Sequence, residues 1–178
     1  PPMALRINPL RATLSDTLAS FAEAGLAVRE LANGALLLER PVPVARVPGF
    51  AEGCVSVQDA GAQYAADFLD LDDGQRVLDA CAAPGGKTAH ILETADVNLV
   101  ALDTDAGRAR RVGENLQRLG LTADVKAADC RDLRRWWDGQ PFERILADVP
   151  CSASGVVRRN PDIKWLRRSD DIPRFAAQ

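Results

Sequence analysis

The sequence predicts an α/β chain: a doubly wound sheet of about four legible parallel strands, preceded by a small α+β unit. Three observations carry that expectation. After Gly74, short apolar runs alternate with segments of helical period, the pattern of a parallel sheet with helices on both faces. The first of these runs, Val77-Leu78, passes into a loop of small residues that opens a helix. Ahead of residue 73 the texture differs, with a hairpin signal at Asn33-Gly34 and a proline-rich connector. The expected division is therefore 1–72 for the small unit and 73–178 for the larger domain.

The elements follow in order. Ala4 to Asn8 alternates like a short strand, and Thr13 to Ala24 places Leu14, Leu18, Phe21 and Ala22 at helical spacing, with Gly25 as its stop. Leu26–Arg29 and Ala35–Leu38 read as strands flanking the Asn33-Gly34 turn, and Pro41 to Pro48 connects. Val55 to Gln58 alternates, and Ala60 to Leu69 is an apolar helix ending at the Asp72-Asp73-Gly74 turn. Beyond it, strands are expected at Arg76–Cys81, Asn98–Asp103, Ala123–Ala127 and Arg144–Val149. Helices fit Lys87–Thr94, Ala106–Leu119 and a short piece near Leu133–Trp137. Ligands in such sheets sit at the carboxyl ends of the strands, where Cys81, Asp103, Asp129 and Asp148 fall.

Bulk properties narrow the function classes. A chain of 178 residues, 47% hydrophobic and 26% charged, has room for a real core. Its net charge of −3 argues against a protein that coats nucleic acid non-specifically. The sign is uneven, however. Arg158, Arg159, Lys164, Arg167, Arg168 and Arg174 outnumber Asp162, Asp170 and Asp171, giving either a phosphate-facing surface or a solvated helix. Cys54, Cys81, Cys130 and Cys151 form no C-x-x-C pair, and His90 is the single histidine, so neither a metal site nor a disulfide framework is expected. A reducing cytoplasm follows, with no membrane partner, since no apolar run is long enough to span a bilayer. Both ends of the chain read as cut rather than finished.

The loop Cys81-Ala82-Ala83-Pro84-Gly85-Gly86-Lys87-Thr88 nearly meets the phosphate-loop pattern G-x-x-x-x-G-K-[ST]. Cys81 stands where that pattern needs its first glycine, and Pro84 removes an N–H from the turn. The dinucleotide fingerprint G-x-G-x-x-G is absent as well. A nucleoside without a pyrophosphate needs neither, and Asp103, about twenty residues on, is placed to accept from ribose hydroxyls. Asp129 is placed to meet the adenine end. Taken singly, each aspartate has a plain alternative as a helix cap or solvated loop residue.

Three segments carry a closer resemblance: Ala82 to Thr88; Asp148-Val149-Pro150-Cys151-Ser152-Ala153-Ser154-Gly155; and Arg158-Arg159-Asn160-Pro161-Asp162-Ile163-Lys164-Trp165. Together with Leu5-Arg6-Ile7-Asn8 and Val57-Gln58-Asp59 they resemble the RNA cytosine-5 methyltransferases, most of all the bacterial 16S ribosomal RNA enzymes of the RsmB (Sun/Fmu) type. The resemblance implies a Rossmann-like class I methyltransferase sheet, S-adenosyl-L-methionine as cofactor and 16S ribosomal RNA as partner. It also implies that Cys81, Ala82, Ala83, Pro84, Gly85, Gly86 and Lys87 line the cofactor, with Asp103 on the ribose and Asp129 by the adenine. Asp148 would sit between cofactor and target base, and Cys151 would assist release of the methylated base. Arg158, Arg159, Lys164, Arg167 and Arg168 would hold RNA phosphates, with Trp165 as a stacking group or as core packing.

In that family the attacking thiol belongs to a threonine–cysteine pair downstream of Cys151, and no Thr-Cys pair occurs here. The expectation is a chain that carries the cofactor half of the site and binds without turnover. DNA cytosine-5 methyltransferases use a proline–cysteine thiol as nucleophile, which leaves Cys151 as a second possibility. The alternatives from other classes are a non-catalytic nucleotide- and RNA-binding module and a P-loop-like NTP-binding domain.

Overall fold

The computed structural model describes residues 2–176; Pro1, Ala177 and Gln178, which belong to the ends read above as cut, lie outside it. The chain forms two compact units, residues 2–147 and the segment from Asp148 onward, and each is described by itself.

The first unit begins with an antiparallel sheet. β1 (Met3–Ile7) lies between β3 (Leu36–Leu38) and β4 (Val55–Val57), and β2 (Val28–Glu30) pairs with β3 at the edge. The Asn33-Gly34 turn closes the β2–β3 hairpin with Gly34 at φ +76°, a conformation that glycine adopts without cost. α1 (Leu14–Glu23) starts where the Thr13 hydroxyl accepts from the Asp16 N–H at 3.1 Å, an N-cap bond. Phe21 from α1 packs with Leu5, Leu36, Leu38, Val47 and Val55 in a core of its own.

α2 (Ala60–Asp67) leads to a second sheet of four parallel strands, β5 (Arg76–Asp79), β6 (Asn98–Asp103), β7 (Asp124–Ala127) and β8 (Arg144–Leu146), in the order β7-β6-β5-β8. Register sets Val77 beside Leu99 and Leu78 beside Val100, so alternate residues face opposite sides. Val77, Leu99 and Ala101 meet Ala89 and Ile91 of α3 (Gly86–Thr94) and Val112, Leu116 and Leu119 of α4 (Ala106–Leu119). Leu78, Val100 and Leu102 meet Trp136 of α5 (Leu133–Trp136) on the other face. Both faces are covered, which is why these strands read as continuous apolar runs. α4 is the cleanest amphipathic helix: Ala109, Val112, Leu116 and Leu119 are buried at helical spacing, Asp105 caps its start and Gly120 its end.

The connections from β5 to β6 and from β6 to β7 advance in one direction, and the connection through α5 returns the chain to β8 on the far side of β5. The order therefore reverses between β5 and β8, the position where open α/β sheets form a ligand crevice. The doubly wound class expected from the sequence is present, and the strands are shorter than expected. β5 ends at Asp79 and β8 at Leu146, because the chain turns into loops once Ala80 N–H has donated to Leu146 O at 2.9 Å.

The segment from Asp148 contains a single helical turn at Ser154–Val156, α6 (Ile163–Leu166) and α7 (Asp171–Ala176). Among the described residues no helix is long and apolar enough to cross a membrane.

Candidate functional site

The loop after β5 is held from beneath by the neighbouring strands. Ala82 N–H donates to Leu102 O at 2.8 Å, and Ala83 N–H donates to the Asp103 carboxylate at 3.3 Å. Gly85 N–H closes a tight turn onto Ala82 O at 2.7 Å. Gly85 has φ +96°, and a Cβ there would stand 3.2 Å from both Cα and Cγ1 of Val112, so α4 packs directly under the loop. α3 then begins at Gly86 with no side-chain cap, leaving its N-terminal turn to face the loop.

Below the loop, Thr88 is fully buried and its hydroxyl donates to Asp79 Oδ2 at 2.7 Å. This pair, with both groups buried, fastens the first turn of α3 to the end of β5. It also bears on the phosphate-loop alternative. In that motif the Thr hydroxyl faces magnesium, whereas here it is enclosed and committed to a carboxylate. Sequence reading missed Asp79; its signal was a lone acid at a strand end with a hydroxyl nine residues on.

Asp103 ends β6 at 4% exposure. Besides Ala83 N–H, it accepts from Asp105 N–H at 3.1 Å and pairs with Arg108 at 3.3 Å. Arg108, on α4, also donates to Ala83 O at 3.4 Å, a loop contact that sequence reading did not assign. The Cys81 thiol is pushed above its ordinary value by burial first, then by Cys130, Asp103 and Asp79. That shift disfavours the thiolate form of Cys81. The structure thus brings Cys81, Ala82, Ala83, Pro84, Gly85, Gly86, Lys87 and Asp103 to one end of the sheet.

Asp129, two residues past β7, is gripped by Arg131: Nε and Nη2 donate to its oxygens at 3.0 and 2.7 Å, and the Arg131 backbone N–H donates at 2.9 Å. Those bonds, the side-chain ones foremost, hold its carboxyl at about 2. Its side chain keeps 36% exposure, so the acid is fixed in orientation and reachable.

Asp148 and Cys151 belong to the second unit, and both are exposed. Cys151 Sγ accepts from Ala153 N–H at 3.4 Å, and Ala153 holds φ +58°, uncommon for a residue with a Cβ. Arg158, Arg159, Lys164 and Arg168 are exposed. Arg167 is exposed as well; its Nε donates to Ser152 O at 2.8 Å and its guanidinium lies 4.8 Å from the Phe175 ring centroid. The core-packing role for Trp165 is corrected: it is 87% exposed, because α6 is one turn long and half-buries only Ile163.

A separate cavity of about 460 Å³ is lined by Arg6, Asn33, Gln63, His90 and Thr94 among others. His90 sits on α3, as expected, with its Nδ1 buried and without a hydrogen-bond partner. Burial first, and the charge of Arg6 second, lower its pKa to about 4.

Comparison with known proteins adds the following. Residues 66–178 match the family model described as 16S rRNA methyltransferase RsmB/F, and residues 1–45 match that of the RsmF/B-like ferredoxin-like domain. The ribosomal RNA small subunit methyltransferase B of Pseudomonas putida is 53% identical over 99% of this chain and 41% of its own length. The protein of the same name from Vibrio cholerae is 54% identical over 98% of this chain and 41% of its own. The chain thus spans about two fifths of the length of the curated relatives it matches. Among solved structures, a methyltransferase homolog protein from Pyrococcus horikoshii superposes with TM-score 0.80 at 28% identity, covering 96% of this chain and 54% of that one. A crystal structure of NSun6 from the same organism with SFG gives TM-score 0.85 at 18% identity, over 99% of this chain and 69% of that one, a likeness of fold.

Proposed function

The chain belongs to the RsmB/F family of 16S rRNA methyltransferases, and from that premise we propose that it forms the cofactor-binding part of an enzyme methylating cytosine C5 in 16S ribosomal RNA. The cofactor is S-adenosyl-L-methionine. One observation supports this most directly: a loop of small residues at the β5 switch point is joined through Ala83 N–H to the carboxylate that ends β6.

The residues present fit such a group. Ala82, Ala83, Gly85 and Gly86 keep side chains out of the way, so a nucleoside can lie against the backbone. Asp103 offers a carboxylate acceptor beside the loop, suited to a ribose diol, with Arg108 at its edge. Asp129, clamped by Arg131, presents an acceptor to the exocyclic amine of adenine. The turn lacks the N–H cradle that a diphosphate needs.

When bound, the cofactor supplies an electrophilic methyl group on a sulfonium. Cytosine C5 is a weak nucleophile and becomes a strong one when a thiolate adds at C6; loss of the C5 proton then expels that thiol. Asp148 engages the N3/N4 edge of the target base, and Cys151 assists release. Arg158, Arg159, Lys164, Arg167 and Arg168 hold phosphates while the base leaves its stack. These residues include no Thr-Cys pair, so the chain by itself binds cofactor without turnover.

The test is a calorimetric titration of the chain. Adenosylhomocysteine binds without magnesium, and ATP with magnesium does not. The reverse preference would replace this reading with the nucleoside-triphosphate alternative.

A further inference from the structure

Arg6 lies on β1, eighty residues before the loop's Gly86, yet its guanidinium is inserted against α3. Its side chain is 5% exposed and that of Glu93 is 1%. Nε donates to Glu93 Oε2 at 2.9 Å and Nη2 to Oε1 at 2.8 Å, a two-pronged pair. Nη1 donates to the carbonyl of Gly86 at 3.0 Å and also to Gln58 Oε1. Gly86 and Glu93 are the first and eighth residues of α3, two turns apart on one face. Helical side chains lean toward the N-terminus, so the Glu93 carboxylate reaches back to the cation that also holds Gly86.

A buried ion pair by itself adds little net stability, and well-packed apolar side chains can replace it. The ion pair therefore does not account for the third contact. The bond to Gly86 falls on the first residue of a helix that has no side-chain cap, directly after a turn containing Pro84 and the positive-φ Gly85. The bonds from Ala82 and Ala83 fix the loop on its strand side; Arg6 fixes it on its helix side.

We propose that Arg6 is a positioning residue for the cofactor: through Gly86 O and Glu93 it sets where the first turn of α3 stands, and so the placement of the loop from Cys81 to Lys87. This rests on reading that loop as the cofactor site. The antiparallel sheet is then part of the binding apparatus and not merely an appendage to it.

The experiment titrates adenosylhomocysteine into four proteins, the 178-residue chain itself and three variants of its packing. These are wild type, Arg6→Met with Glu93→Met, Arg6→Lys, and Arg118→Met. Arg118 anchors the same sheet to α4 through Phe50 O at 2.6 Å and Val55 O at 3.3 Å without touching α3's first turn. Urea midpoints are measured beside each titration. The double variant, apolar and filled, remains folded and binds at least tenfold more weakly than wild type. Arg6→Lys, which keeps the charge and loses the fork, weakens binding by several-fold at a near-native midpoint. Arg118→Met loses stability and keeps affinity within twofold. A folded double variant that binds like wild type overturns the proposal, as does an affinity loss that simply follows the midpoint across all variants. Where the double variant does not fold, Arg6→Lys decides on the same criterion. Wild type that fails to bind defeats the cofactor reading itself, and this inference with it.

Discussion

Replacing Gly85 and Gly86 separately by alanine exposes two physical roles that adjacent glycines play in the loop. Gly85 holds φ +96°, and an added Cβ would meet Val112 Cα and Cγ1 at 3.2 Å. An alanine forced into the left-handed region costs about 1–2 kcal/mol, and crowding a packed backbone about 1–3 more. Partial relaxation makes about 2–4 kcal/mol the expected total loss. Gly86 has nothing within 4 Å of its would-be Cβ and lies in the first turn of α3. Alanine there gains up to about 0.5–1 kcal/mol of helix propensity. Urea denaturation followed by circular dichroism gives both values. On the proposed reading the nucleoside lies against this backbone, so the same methyl on Gly86 weakens adenosylhomocysteine binding by about tenfold, near 1.4 kcal/mol. A more stable protein that binds less is the distinguishing outcome. Equal destabilisation by both substitutions, or a Gly86→Ala protein that binds normally, would refute the reasoning.

Other expectations concern the support beneath the loop. Thr88→Val removes the bond to the buried Asp79 carboxylate and costs about 1.5–3 kcal/mol in urea denaturation, most of it recovered by Thr88→Ser. Asp103→Asn keeps one carbonyl acceptor where Ala83 and Asp105 N–H bond separate carboxylate oxygens, and it loses the charge, so nucleoside binding falls about tenfold and the orphaned N–H costs about 1–3 kcal/mol of stability. For His90, the folded pKa of about 4 lies below the ordinary 6.5, so the unfolded chain takes up the proton first. Its contribution is intact above pH 6.5 and is lost as pH falls toward 4. By pH 5 that loss reaches up to about 2 kcal/mol, and His90→Gln should flatten the difference between midpoints at pH 7 and pH 5.

Much of this fold was legible because its signals are local. Leu99 to Leu102 is an unbroken apolar run because helices cover one face of β6 and Trp136 covers the other. The hairpin followed from Asn33-Gly34, and α4 spans the Ala106–Leu119 expected from its helical period, with Gly120 as its cap. What remained hidden is long-range. Nothing in the alternation of Ala4-Leu5-Arg6-Ile7 says that Arg6 pairs with a glutamate 87 residues away. Asp79 was read as lying inside a strand that ran on to Cys81, and nothing in that run says that Thr88 folds back onto its carboxylate. β8 was read through to Val149, but its pairing with β5 stops at Leu146, where β5 itself turns away. Trp165 was offered core packing as an alternative to stacking, and a one-turn helix gives it none.

The location of the bound nucleoside is the most direct check on the whole account. Amide chemical shifts of the isotope-labelled chain, followed during titration with adenosylhomocysteine, report that location residue by residue. The largest changes should fall on Cys81, Ala82, Ala83, Gly85, Gly86 and Lys87, with Asp103 and Asp129 moving at the neighbouring strand ends. Changes centred instead on Asn33, Gln63, His90 and Thr94, around the separate cavity, would contradict it.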